Sequence, residues 1–159
     1  MAAPITAEVV NAFVDPVVDV IKTCTGLDTE LGQIDLQSHI DPAPFLSATI
    51  EMRGTIVGPV TWVVSEELAR VIATKMLAID PADALTIATC REAVAELANI
   101  ISGNATGKLS DAGYNVEILP PTPIDDRSER QLTERALSVT LCTSAGKIKL
   151  LLGIRFSPQ

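Results

Sequence analysis

A chain of 159 residues with 47% hydrophobic side chains can bury a full core without disulfides or metals, so one domain over residues 1–159 is expected. The formal net charge of −8 and an aromatic content of 3% exclude nucleic acid and anionic membranes as natural partners, because cations for phosphates and stacking surfaces for bases are both scarce. Cys24, Cys90 and Cys142 are widely spaced among apolar neighbours and read as buried, reduced thiols, and the opening MAAPITAEVV has no basic n-region, so a cytoplasmic protein is expected.

From Ile5 to Cys24, the residues Val9, Phe13, Val17, Val20 and Cys24 recur every three or four positions, which predicts a helix kinked at Pro16 and ended by Gly26. Asp28 to Phe45 mixes Gly32, His39, Pro42 and Pro44 with polar residues and reads as loop with room for one short strand. Leu46–Met52 and Ile56–Val64 are β-branched runs joined through Arg53, Gly54 and Thr55, the pattern of an antiparallel hairpin. Ser65 then stands as an N-cap before a helix over Glu66–Ile79, with Leu68, Val71, Ile72, Lys75 and Met76 as its mostly apolar stripe and Asp80–Pro81 as its stop.

A longer helix is expected from about Asp83 to Ala112, closed by Gly113. Val116–Leu119 reads as a short strand ended by Pro120, Pro121 and Pro123. Beyond the charged run DDRSERQLTER, Ala136–Cys142 and Ile148–Phe156 predict a second hairpin around Thr143–Gly146, completing an α/β chain.

Several chemistries lack the residues they need. His39 is the only histidine and lies far from any activated Ser or Cys pattern, so triads and imidazole acid/base catalysis are not expected. Three scattered cysteines and one histidine do not have the paired short spacings of a zinc site, and neither a P-loop nor GxGxxG occurs.

The long helix is more informative. At 100° per residue, Cys90, Val94, Leu97, Ile101, Ala105 and Leu109 share one side, expected to face the core, with Asn104 falling beside them as a buried amide. Glu92, Glu96, Asn99, Gly103, Thr106 and Ser110 share the other. An ordinary solvated face mixes Lys with Glu for i, i+4 pairs, but no lysine occurs between Arg91 and Lys108. A mid-helix glycine costs about 1 kcal/mol relative to alanine and so calls for a packing or docking reason. The residue pattern alone leaves open whether this stripe docks a partner or merely faces solvent.

The run Glu96-Leu97-Ala98-Asn99-Ile100-Ile101-Ser102-Gly103-Asn104 resembles the ExxN helix of the CheC, CheX and FliY group of chemotaxis phosphatases, and Leu119-Pro120-Pro121-Thr122-Pro123 resembles the proline turn that follows it there. The opening helix, the Gly54–Ser65 hairpin, the next helix and the length extend the likeness over nearly the whole chain. A single working motif favours the CheX branch over CheC. Glu8–Asn11 also spells Glu-x-x-Asn, at the very start of the first helix and without the small residues that follow Asn99. Relatives often carry Asp or Ser where this chain has Glu92.

The resemblance implies a CheC-like fold, a single-layer, mostly antiparallel sheet covered by long helices. It also implies an enzyme that hydrolyses the aspartyl phosphate of a phosphorylated CheY-type response regulator. The regulator supplies Mg²⁺, so no cofactor or metal of the chain's own is expected. Asn99 would orient the attacking water, Glu96 would dock to the regulator's lysine, and Glu92, Gly103 and Thr106 would contact the partner. It further implies a homodimer joined through sheet edges, with Ala136–Leu141 and Ile148–Ile154 as candidates. A noncatalytic adaptor for a response regulator or flagellar-switch protein, or a purely structural dimer subunit, are the competing readings.

Overall fold

A computed structural model describes residues 5–42, 44–79, 85–124 and 130–158. Helix α1 (Ala7–Thr25) starts where the Thr6 hydroxyl accepts from the Val9 amide and ends at the left-handed Gly26, running through Pro16 without interruption. Three further elements follow: β1 (Glu30–Ile40), β2 (Phe45–Gly54) and β3 (Ile56–Ser65). Helices α2 (Glu66–Met76) and α3 (Ile87–Asp111) precede β4 (Val116–Ile118), β5 (Thr122–Ile124), β6 (Arg130–Thr143), β7 (Gly146–Leu152) and β8 (Arg155–Phe156).

The strands make an antiparallel sheet in the order β1-β6-β7-β3-β2-β4, with β5 also on β2 and β8 on β3. Alternation fixes which side chains face the helices, and the register strings them into three apolar rows. Leu46, Val64, Ile148, Leu141 and Leu31 form one row; Ala48, Trp62, Leu150, Val139 and Ile34 the next; Ile50, Val60, Leu152, Leu137 and Leu36 the third. Helices α1, α2 and α3 pack over the inner strands and share one core with them. The rows outrun this cover: on β1, Leu31, Ile34 and Leu36 are 58%, 51% and 60% exposed.

The opposite face carries a smaller cluster of Ile40, Val63, Ala136 and Leu151, with Phe45 and Leu132 packed against it. Beside it the Lys149 ammonium reaches the Asp41 carboxylate at 2.8 Å, joined by Gln37 and by His39 at 3.4 Å. Burial alone would raise the Asp41 carboxyl, but the Lys149 ammonium, the Gln37 amide and His39 together hold it below the usual carboxylate range.

Several expectations need correction. The segment expected to be loop with one short strand holds instead the 11-residue strand β1, which places His39 within a strand. The alternation Gln33-Ile34-Asp35-Leu36-Gln37 belongs to it, but irregular register between Leu31 and Ile34 and between Gln37 and His39 breaks the period at both ends, and most of its side chains are exposed. The charged run enters β6 from Arg130, and β5 forms within the proline cluster; residues 125–129 lie outside those described. Ser65 stands at the N-cap of α2 as expected, but its hydroxyl makes no cap bond and accepts instead from the Lys147 amide, and α2 ends at Met76, with Asp80–Pro81 outside the described residues. On α2 the buried stripe is Leu68, Ala69, Ile72 and Ala73, while Lys75 is exposed.

The second hairpin's second strand breaks after Leu152 into β7 and β8. Ala136–Leu141 and Ile148–Leu152 lie in inner strands rather than at sheet edges, since β6 sits between β1 and β7, and β7 between β6 and β3. Of the cysteines only Cys90 is fully buried; Cys24 and Cys142 are half-buried, and all three are free thiols.

Candidate functional site

Helix α3 begins at Thr86, whose hydroxyl accepts from the Thr89 amide at 3.1 Å, and ends where Gly113 and Tyr114 donate back to Ser110 and Leu109. The expected start near Asp83 falls outside the described residues; the cap is Thr86, which the apolar periodicity does not single out. The side assigned to the core is fully buried: Cys90, Val94, Leu97, Ile101, Ala105 and Leu109. Burying a Leu or Ile is worth about 1.5–3 kcal/mol, enough to fix the rotation of the helix and so the direction of its other face.

On that other face Glu92, Glu96, Asn99, Gly103 and Ser110 are exposed, and Thr106 is half-buried with its hydroxyl donating to the Ser102 carbonyl at 2.8 Å. Asn104 is also exposed, contrary to the buried amide expected there. The buried stripe drifts around the helix, from Cys90, Ala93, Val94 and Leu97 to Ser102, Ala105 and Leu109, because α1, α2 and β2 pack on it from different sides. A fixed helical projection assumes one flat neighbour and places Asn104 wrongly.

Glu92, Ala95, Glu96 and Asn99 form one wall of an open groove of about 520 Å³. Its other wall is Ile118, Leu119, Pro120 and Pro121. That wall is held at both ends by β2: Met52 pairs with Ile118 on one side of the prolines and Thr49 with Thr122 on the other, while the Leu119 amide donates to the Glu51 carbonyl. Gly54 permits the approach, since its backbone has φ +108° and a Cβ there would strike the Asn115 carbonyl.

Glu92, Glu96 and Asn99 have no hydrogen-bond or ion-pair partner among the described residues, so their polar atoms are available to a partner. Two carboxylates at i, i+4 repel each other and weaken an isolated helix slightly. Gly103 lies beyond the groove, and a Cβ built on it meets nothing within 4 Å, so internal packing does not account for it. The same is true of Gly107, absent from the expected contact set although its spacing of four from Gly103 puts it on the same face. Glu8 and Asn11 are exposed on the first turn of α1, but four residues past Asn11 stands exposed Asp15, where Gly103 follows Asn99. Among the described residues no group of three His, Cys, Asp or Glu is arranged to hold a metal ion. No described helix is long and apolar enough to cross a membrane.

Fold and site define a class: a helix-on-sheet domain that presents a carboxylate and a carboxamide one turn apart on an open surface, beside a fixed apolar wall, rather than inside an enclosed cavity. Residues 46–143, which include the whole of this helix and both walls of the groove, match the model of a family described as chemotaxis phosphatase CheX. The chain belongs to the chemotaxis phosphatase CheX family and is, by that membership, a phosphatase. It is 29% identical over 124 residues to the CheY-P phosphatase CheX of Thermotoga maritima, an alignment covering 76% of this chain and 77% of the relative. The fold superposes on a chemotaxis protein CheX from Desulfovibrio desulfuricans with a TM-score of 0.78 at 21% identity, covering 94% of this chain and 99% of that one. It also matches the crystal structure of the CheX–CheY–BeF3–Mg²⁺ complex from Borrelia burgdorferi, with a TM-score of 0.65 at 22% identity, covering 92% and 97% of the two chains.

Proposed function

We propose that this protein is a cytoplasmic phosphatase that removes the phosphoryl group from the aspartyl phosphate of a CheY-type response regulator, using the exposed face of α3. The observation that carries this reading is the placement of Glu96 and Asn99, both without partners among the described residues, on one wall of the groove that the proline segment closes. The Thermotoga relative is named for CheY-P, and the Borrelia relative was solved with CheY, BeF3 and Mg²⁺, which supports a phosphorylated regulator as substrate.

The regulator brings the Mg²⁺, its acidic pocket and a lysine, so this chain needs to add only the orientation of water. Asn99 is suited to orienting it, because its carbonyl accepts from the water while its NH₂ donates, and an amide does not titrate in the working range. Glu96 anchors the regulator's lysine by a charge-assisted hydrogen bond, aiming the helix without taking a proton. Gly103 and the methyl of Thr106 let the partner approach the helix closely, and Glu92 contacts it at the other end. Residues 1–159 act as one domain.

The same reading includes a homodimer, now through β1. This strand is an edge with free backbone groups, and it carries the uncovered ends of three core rows, Leu31, Ile34 and Leu36. The decisive experiment mixes the purified protein with a CheY-type regulator phosphorylated by acetyl phosphate and follows phosphate release. Acceleration that disappears with Asn99→Ala is expected; binding of the phosphorylated regulator without acceleration would make the protein an adaptor instead.

A further inference from the structure

The groove holds more negative charge than docking of one lysine requires. Glu92 lines it together with Glu96, one helical turn apart, both carboxylates exposed and neither paired among the described residues. Their Cβ atoms are separated by about 5–6 Å, so they repel in the free protein. A side chain that weakens its own helix and makes no internal contact is explained by what it meets in a complex. The facing wall, Ile118 to Pro121, is mostly apolar, which removes water from one side of the groove and strengthens any ion pair formed in it. At about 520 Å³ the groove has room for more than a single lysine tip.

Resting on the phosphatase reading above, we propose that Glu92 is a specificity-determining residue that selects regulators carrying a second basic side chain, one helical turn's distance from the lysine met by Glu96, on the phosphorylated face. Glu96 reads a group the chemistry of phosphoryl transfer itself requires; Glu92 reads one that can vary among regulators. Net charge of −8 adds a general attraction to basic surfaces, but Glu92, beside Glu96 in the groove, is placed to convert it into a second paired contact along the apolar wall.

The test is steady-state phosphate release from a CheY-type regulator held phosphorylated with acetyl phosphate, at 0.05 and 0.5 M NaCl, for wild type, Glu92→Gln, Asn99→Ala and the exposed α1 control Asp19→Asn. Glu92→Gln is expected to raise KM about three- to tenfold at low salt with kcat unchanged, the difference shrinking at high salt as the screening length falls to about 4 Å. Its melting temperature should not fall, because the substitution relieves the Glu92–Glu96 repulsion, so a raised KM cannot be ascribed to unfolding. Asp19→Asn removes the same charge and should leave KM as in wild type. A KM for Glu92→Gln equal to wild type, or a KM shift matched by Asp19→Asn, or a loss confined to kcat, would overturn the proposal; if Asn99→Ala is inactive in the same experiment, the phosphatase reading stands without it. Wild-type turnover by Asn99→Ala would overturn both.

Discussion

Gly103 sits in the middle of a 25-residue helix, solvent-exposed, with nothing within 4 Å of where a Cβ would be. Alanine at such a position is favoured over glycine by about 0.8–1.0 kcal/mol, and glutamine comes close to alanine. With no steric term to offset the gain, Gly103→Ala and Gly103→Gln should each raise the melting temperature by about 2–4 °C for a chain of this size. The phosphatase reading demands the opposite effect on function. A helix face pressed against a regulator has no room for a glutamine side chain, and holding the surfaces apart near Asn99 should raise KM by about tenfold, or about 1.4 kcal/mol, with a smaller effect for alanine. Thermal unfolding followed by circular dichroism, run beside phosphate-release kinetics on the same preparations, measures both. A stabilised Gly103→Gln variant with wild-type KM and kcat would refute the view that the docked surface extends past Asn99.

Asn99→Ala should lower kcat by orders of magnitude while weakening capture of a BeF3-loaded regulator only modestly, and Asn99→Asp, which sets a carboxylate beside an anionic phosphoryl group, should do no better; Glu96→Ala should weaken binding as well as rate. Isothermal titration with stopped-flow turnover separates these effects. Lys149→Met should cost about 2 kcal/mol at pH 7 by leaving Asp41, whose side chain is 15% exposed, without its cation. The sign follows from the depressed Asp41 carboxyl: the wild-type contribution is complete above the unfolded pKa of about 3.9 and is lost as pH falls through the lower folded value, so the two unfolding midpoints should converge in acid. Ile34→Lys on the edge of β1 should convert a dimer to monomer in analytical ultracentrifugation while leaving the fold intact; a wild-type monomer at tens of micromolar would sink the dimer assignment.

The parts of the fold that can be read from the sequence are those with a one-sided environment. Val9, Phe13 and Val17 on α1 and the core face of α3 repeat with the helical period and are buried as that period requires, whereas β3, buried on both faces from Val60 to Val64, is read from its β-branched run. What stays hidden has a physical cause in each case. Strand β1 is held by backbone pairing to β6 and leaves Leu31, Ile34 and Leu36 outside, and its short alternation over Gln33–Gln37 is cut off by irregular register on either side. Strand β5 is three residues long with a proline in it, and pairing to β2 rather than propensity makes it a strand. The groove itself is half legible: its acidic wall lies on one helix, whereas Ile118 and Leu119 reach it only because β4 is drawn alongside β2 at Gly54.

The pairing of β1 with β6 also sets the order in which the molecule can be made. Glu30 and Cys142, cross-strand neighbours, lie about a hundred residues apart in the chain, so β1 cannot pair until β6 has been made. On the ribosome β1 therefore emerges long before the strand it pairs with, and at about 5–20 residues per second it waits several seconds with its amides and its leucines unpaired. Over that interval β1 offers an open edge to other chains, as β3 does while it waits for β7.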